Sequence, residues 1–168
     1  MVADFFVLRL DQMNECTHDF LDGINPLDSS EQNEDVITIK NILEAIEESS
    51  INRDKLYLYL DYSPSVIELY DDGSYATLCK GYEEVCKSQT QTCDWCSDSL
   101  ESLNKKGTYM RQHSKGLVLS FIDLDAYDDK WCDCKKSFPG FYAILDGWNG
   151  VPVDSMQQCP LFDKNDIC

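Results

Sequence analysis

The stretch "GLVLSFIDLDAYDDKWC" (116–132) joins an apolar run to a cluster of carboxylates at Asp123, Asp125, Asp128 and Asp129. Its first ten residues, 116–125, read as a buried strand, because nearly continuous apolar character is what a parallel sheet covered on both faces requires. Two further runs share that character, "ADFFVLRLD" (3–11) and "DKLYLYLDY" (54–62), and they carry Asp11 and Asp61 near their ends. In parallel α/β folds, functional groups gather at the carboxyl ends of strands. Asp123 and Asp125, two apart on a strand, would share a face. They read either as a sugar- or metal-facing pair or as a strand end that binds backbone amides or a neighbouring Arg. Asp128 and Asp129 read as a solvated loop.

Helical patterns fill the gaps. In "DVITIKNILEAIEESS" (35–50), Val36, Ile39, Ile42, Leu43 and Ile46 recur at helical spacing and predict an amphipathic helix. Between the second and third strands lie "YEEVC" (82–86) and "SDSLESLNKKGTYMRQHS" (97–114), where Ser97 or Ser99 is a candidate N-cap and Gly116 a candidate end of the following turn. In "FPGFYAILDGWNG" (138–150), Phe138, Phe141, Ile144 and Leu145 suit either a strand or a helix. Strand, helix, strand, helix, strand, helix is the grammar of right-handed βαβ units.

The 168 residues suit one domain with a core, and no stretch approaches the roughly 18 apolar residues of a membrane span. A net charge of −17 argues against nucleic acid, which needs a basic footprint. It fits an acidic extracellular protein, or one that captures a basic protein ligand. Nine cysteines, at 16, 79, 86, 93, 96, 132, 134, 159 and 168, suggest an oxidising compartment. Their odd number leaves one thiol free or paired with another chain. The opening "MVADFFVLRL" lacks the basic region and apolar length of a secretory signal, so the chain reads as a mature or trimmed product. "CDWC" (93–96) and "CDC" (132–134) invite a zinc reading, but C-x-C is a poor knuckle and disulfides are the better account. His18 falls in a loop and His113 at a helix end, neither with a nucleophile at a useful spacing; no motif asks for a cofactor or metal. No N-x-S/T sequon occurs.

Taken in order, the segments resemble the C-terminal half of glycoside hydrolase family 18, the chitinases and chitinase-like lectins. "HSKGLVLSFIDLDAYDDKWC" is similar to the family's eighth barrel strand, K-G-L-G-G-A-M-V-W-x-L-D-L-D-D-F, with Gly116, Asp123, Leu124 and Asp125 matching and Tyr127 in place of Phe. "ADFFVLRLDQMN" resembles the sixth strand, "DGINPLDSS" the G-H-N-(S)-P-L-Y loop, and "INRDKLYLYLDYS" the segment A-P-x-x-K-L-x-L-G-I-P-x-Y-G. "GYEEVC" is similar to A-Y-Y-E-V-C, and "DWCSDSLESL" falls where W-V-G-Y-D-D-x-x-S occurs. "CKKSFPGFYAILDGW" resembles a helix of the family, so a helix is preferred over 139–148.

The resemblance implies an α/β fold: strands six to eight, the C-terminal half of a TIM-type (β/α)8 barrel, disulfide-stabilised, with its insertion domain reduced to about Pro64 to Thr77. Residues 1–150 would form this half and 151–168 a cysteine-containing tail. By resemblance, Asp11, Tyr62, Ser120 and Asp123 would be substrate-binding, for a chitooligosaccharide, and Cys86 would bridge to Cys132 or Cys134. Two departures weigh against activity. The motif D-G-x-D-x-D-x-E, whose Glu protonates the leaving oxygen in this substrate-assisted hydrolysis, is absent from the chain. The strand-eight Trp that would floor the sugar site falls on Ser120, and the strand-six Tyr on Leu10, so sugar binding should be weak.

A complete barrel needs around 250 residues, whereas a three-stranded fragment exposes two edges and one helix-free face. An N-terminal half on a second polypeptide would close it, and Cys16, distant from the other cysteines, is the candidate interchain thiol. The expectation is thus a secreted chitinase-like chain, non-catalytic by itself, with a binding or interaction role. Its rivals are half of an active two-chain chitinase whose Glu lies on the partner, and an acidic effector for a basic protein.

Overall fold

The computed structural model describes residues 3–11, 13–16, 23–29, 35–69, 75–79, 95–125 and 137–153. In chain order its elements are β1 (Phe6–Leu10), α1 (Ile39–Glu47), β2 (Leu56–Asp61), β3 (Ser65–Leu69), β4 (Tyr75–Cys79), β5 (Trp95–Cys96), α2 (Leu100–His113), β6 (Gly116–Ser120) and α3 (Pro139–Trp148). Two sheets result, a parallel one in the order β1-β2-β6 and an antiparallel one in the order β4-β3-β5.

Register explains the leucines of the parallel sheet. Leu8, Leu58 and Leu117 lie side by side, as do Leu10, Leu60 and Leu119. Because side chains alternate along a strand, both rows point the same way and join the core with α-helical residues Ile39, Leu43, Leu103, Met110 and Ile144. The intervening rows, Val7–Tyr57–Gly116 and Arg9–Tyr59–Val118, point the other way. There Val7 is 47% and Val118 39% exposed. The expectation of a sheet covered on both faces is therefore corrected: among the described residues, the helices shield one face only. Apolar runs indicated two-sided burial here because Val7, Tyr57, Tyr59 and Val118 are as apolar as the core leucines.

Each helix has a local reason to begin where it does. Thr38 caps α1 reciprocally, its Oγ1 accepting from Asn41 N at 3.1 Å while Asn41 Oδ1 accepts from Thr38 N at 3.3 Å, an arrangement worth about 1 kcal/mol. The helix is shorter than 35–50, and Val36 precedes it. Ser99, of the two candidate caps, accepts from Ser102 N at 3.1 Å. Gly116 starts β6 instead of ending a turn; a Cβ there would press on the Tyr57 ring. The ambiguous segment 138–150 is the helix α3, and it packs against α2 with almost no space between backbones. A Cβ at Gly107 would collide with the Ile144 carbonyl and one at Gly147 with the Asn104 carbonyl. Asn104 Nδ2 donates to Ala143 O at 3.1 Å, and Thr108 Oγ1 to Gly147 O at 3.1 Å.

The buried stripe of α2 carries a charge in its middle: Leu100, Leu103, Lys106, Gly107 and Met110. Lys106 Nζ lies 2.6 Å from each carboxylate oxygen of Asp98, with side-chain exposures of 0% and 7%. Ser102 Oγ donates to the same carboxylate at 2.8 Å, and Gly23 closes over it so tightly that a Cβ would overlap it. A disulfide, Cys16–Cys96, joins the segment after β1 to β5 across a sequence separation of 80. Cys16 was expected to reach another chain; its partner is Cys96 of the same chain, and both sulfurs are buried beside Ile24. Sequence distance misled here because the loop after β1 returns to β5. Cys86, Cys132 and Cys134 lie outside the described residues, as do "YEEVC" and most of the tail 151–168.

Of the antiparallel sheet, β3 and the start of β4 fall in the stretch Pro64 to Thr77 where a reduced insertion was expected, while β5 lies beyond it; no helix among the described residues is long and apolar enough to cross a membrane. Two outcomes follow from the buried links. Lys106→Met should destabilise by about 3–5 kcal/mol in denaturant titration, with Asp98→Asn added to it recovering most of the loss, because the cost is an uncompensated buried charge. Replacing Cys16 and Cys96 by Ser should lower stability by up to about 4.5 kcal/mol, the closure entropy of an 80-residue loop; non-reducing peptide maps should show the two joined.

Candidate functional site at the carboxyl ends of the strands

The sheet pairs as far as Leu10 with Leu60 on one side and Asp61 with Ser120 on the other. The next residue of β1 is Asp11, so Asp11, Asp61 and Ser120 stand at the same end of the sheet. Asp11 is held from below by Arg9, whose Nε and Nη2 lie 3.0 and 2.5 Å from its oxygens. The hydrogen bond and charge of Asp11 raise the Arg9 guanidinium above its ordinary value. Arg9 also sits over the Tyr59 ring at 5.3 Å, so one cation bridges the open face and its rim.

Asp61 is 5% exposed and folded back on its own chain, Oδ1 accepting from Ser63 N at 2.9 Å and from Ser63 Oγ at 2.6 Å. Its carbonyl accepts from the Nδ2 of buried Asn25 at 2.8 Å, while Asn25 Oδ1 accepts from Met13 N at 3.0 Å. Asn25 thus stitches the loops after β1 to the end of β2. The sequence reading singled out the "DGINPLD" loop but not this role; the available signal was an Asn before Pro, and Gly23 to Pro26 are buried. Ser120 Oγ donates to Leu60 O at 3.3 Å, joining β6 to β2.

The strand was expected to run to residue 125, with Asp123 and Asp125 on one face. It ends at Ser120, and Ile122–Asp125 form a 3-10 turn that sends the two carboxylates apart. Asp123 is exposed; Asp125 is 1% exposed. Of the two readings offered for this pair, Asp125 adopts the amide-binding one: Oδ1 accepts from Gly140 N at 3.2 Å and Oδ2 from Phe141 N at 2.7 Å. It supplies to α3 what Phe138, at the N-cap position and without a capping side chain, does not. Tyr62 points to the helix side of the sheet, 3% exposed and part of the core, with its hydroxyl donating to Asp125 Oδ2 at 3.2 Å. Burial, then the Asp125 charge, push the Tyr62 phenol well above its ordinary range.

Of the residues named from sequence, Asp11 and Ser120 therefore share the rim with Asp61, Asp123 stands on the turn beyond it, and Tyr62 lies beneath in the core. The rim offers hydrogen-bond acceptors and hydroxyls, with no described Glu among them, and no described group of His, Cys, Asp or Glu is arranged to hold a metal ion. A cavity of about 570 Å³ lies at the opposite end of the sheet. Its Arg53 and Arg111 donate to the carbonyls of Gln112 and Trp148, where α2 and α3 end, a placement that satisfies helix C-termini.

No family model matches the sequence, and no curated protein matches it. The fold does have counterparts. Catalytic domain 2 of the Group II chitinase of Ostrinia furnacalis, in complex with a chitooligosaccharide, superposes with a TM-score of 0.69 at 14% identity over 95% of this chain and 51% of that one. Human YKL-39, a pseudo-chitinase with retained chitooligosaccharide binding properties, gives 0.62 at 14% identity over 87% and 50%. The immunomodulatory active chitinase of Trichuris suis gives 0.56 at 13% over 76% and 46%. The chain spans about half the length of these structures, and it has an α/β fold like part of a chitinase TIM barrel.

The Tyr62–Asp125 contact has a pH signature. A phenol raised in the native state favours folding fully below its unfolded value near 10, and the contribution fades as pH climbs past that value. Between about pH 8 and about pH 11 the melting temperature should therefore fall more steeply for the wild type than for Tyr62→Phe.

Proposed function

We propose that this chain is part of a secreted chitinase-like protein, non-catalytic by itself, with a binding or interaction role, and that an N-terminal barrel half on a second polypeptide completes it. The observation that carries the reading is the one-sided parallel sheet in a chain that spans about half of the Ostrinia furnacalis chitinase domain and of YKL-39. Val7 and Val118 on the open face, and the unpaired outer sides of β1 and β6 among the described residues, are the surfaces such a half would cover.

A second copy of this chain is a poor cover. It would bring another charge of −17 and only three more parallel strands, whereas eight strands give an interior that side chains fill. The absence of D-G-x-D-x-D-x-E from this chain assigns any proton donor to the covering half. The rim of Asp11, Asp61 and Ser120 then forms one wall of a cleft for a chitooligosaccharide, held by hydrogen bonds.

Light scattering of the protein purified from its source, with mass spectrometry of its constituents, tests the arrangement. A native mass near twice that of the chain is expected, together with a second polypeptide; a monomer of 19.3 kDa overturns the reading. The companion sequence also separates the rivals, since a D-G-x-D-x-D-x-E motif on it makes the assembly an enzyme.

A further inference from the structure

Four described cations spend their charge on a carboxylate: Arg9 on Asp11, Lys40 on Asp28, Lys105 on Glu101 and Lys106 on Asp98. With 31 acidic residues against 14 basic ones, a partner is rarely far away. Arg53, Arg111 and Lys115 depart from this pattern, because none of them reaches a described carboxylate at ion-pair distance. All three line the cavity of about 570 Å³ at the amino ends of the strands, with Asp54 the one acidic residue of its lining. In so acidic a chain, gathering unpaired cations in one recess works against the general field.

Helix termination accounts for part of the cluster. Arg53 Nη1 donates to Gln112 O and Arg111 Nη1 to Trp148 O, each at 2.7 Å, and Gln112 and Trp148 belong to the same lining. A guanidinium carries five N–H donors, so each fork keeps most of its donors after serving a helix end. Lys115 serves neither end: its backbone N–H goes to Leu56 O, and its side chain meets no acceptor among the described residues. The anchoring has a further effect. Arg53 comes from the turn before β2 and Arg111 from the last turn of α2, yet both are tied to backbone. Two planar forks are thus held at one recess before any ligand arrives.

We propose that this recess binds a phosphomonoester, with Arg53 and Arg111 gripping the phosphate through their remaining N–H groups and Lys115 offsetting its charge. A carboxylate offers two oxygens and a single negative charge. A phosphomonoester offers three oxygens and close to two charges at neutral pH, which matches two forks and an ammonium better. The volume exceeds what a bare phosphate needs and lies in the range of small-molecule sites, so the organic part of the ester has room. The site lies at the end of the sheet away from Asp11, Asp61 and Ser120, and it stands independently of the reading of that rim.

Isothermal titration calorimetry of the native protein at low salt, with phenyl phosphate, inorganic phosphate and benzoate as probes, tests it. Phenyl phosphate should bind, inorganic phosphate more weakly, and benzoate at least about tenfold more weakly than phenyl phosphate. Lys115→Glu should melt with the wild type and lose detectable binding, while Arg53→Gln and Arg111→Gln should each bind about tenfold more weakly. No heat with millimolar phenyl phosphate overturns the proposal, as does binding within about twofold of wild type in all three variants. Benzoate binding as tightly as phenyl phosphate overturns the choice of phosphate, and inorganic phosphate binding as tightly overturns the place given to the organic part.

Discussion

One buried carboxylate, Asp125, joins three parts of the molecule that would otherwise meet only through apolar contact. It reaches the chain from the turn after β6, it caps the amides of Gly140 and Phe141 at the start of α3, and it receives the hydroxyl of Tyr62 beyond β2. A carboxylate this deep is tolerable because its oxygens meet amides at a helix N-terminus, where the partial positive charge lies. Its position in turn dictates the geometry of the rim. The turn must bend sharply after Ser120 to deliver Asp125, and Asp123 is thereby left in solvent.

The sheet has a corresponding asymmetry. Helices lie against Leu8, Leu10, Leu58, Leu60, Leu117 and Leu119, so this face is closed by apolar packing worth roughly 25 cal/mol per Å² buried. The opposite face mixes Val7 and Val118 with Arg9 stacked on Tyr59. That mixture can face water, yet it is too apolar for a surface built only to be solvated. Arg9, tied upward to Asp11, shows how a charge is accommodated there: its guanidinium spans the aromatic and the rim carboxylate.

Much of the architecture was legible in the sequence. The three apolar runs named the parallel strands, the spacing of Ile39, Ile42, Leu43 and Ile46 named α1, and Ser99 was one of two candidate caps for α2. The length of the last strand was not legible, because the apolar residues 121 and 122 continue its pattern while the backbone turns away at Phe121. Composition reports how apolar a segment is, not which side of it another element covers, so the helix-free face was legible only from the three-stranded length of the fragment and not from the apolar runs. Lys106 and Asp98 were hidden for a different reason: a lysine in an apolar stripe reads as an exposed residue until its partner arrives from the preceding loop. The disulfide of Cys16 depended on a chain reversal that no local pattern encodes.

The crossing of α2 and α3 carries a consequence for the other end of the molecule. With Gly107 against the Ile144 carbonyl and Gly147 against the Asn104 carbonyl, the two helix axes have no slack at that point. Adding even a methyl group there would swing α3 on a pivot, and its first turn, where the Gly140 and Phe141 amides grip Asp125, would swing with it. The seat of Asp125, and with it the turn that carries Asp123, is thus set from the far end of a helix by two missing side chains, in the manner of a lever whose fulcrum is backbone against backbone.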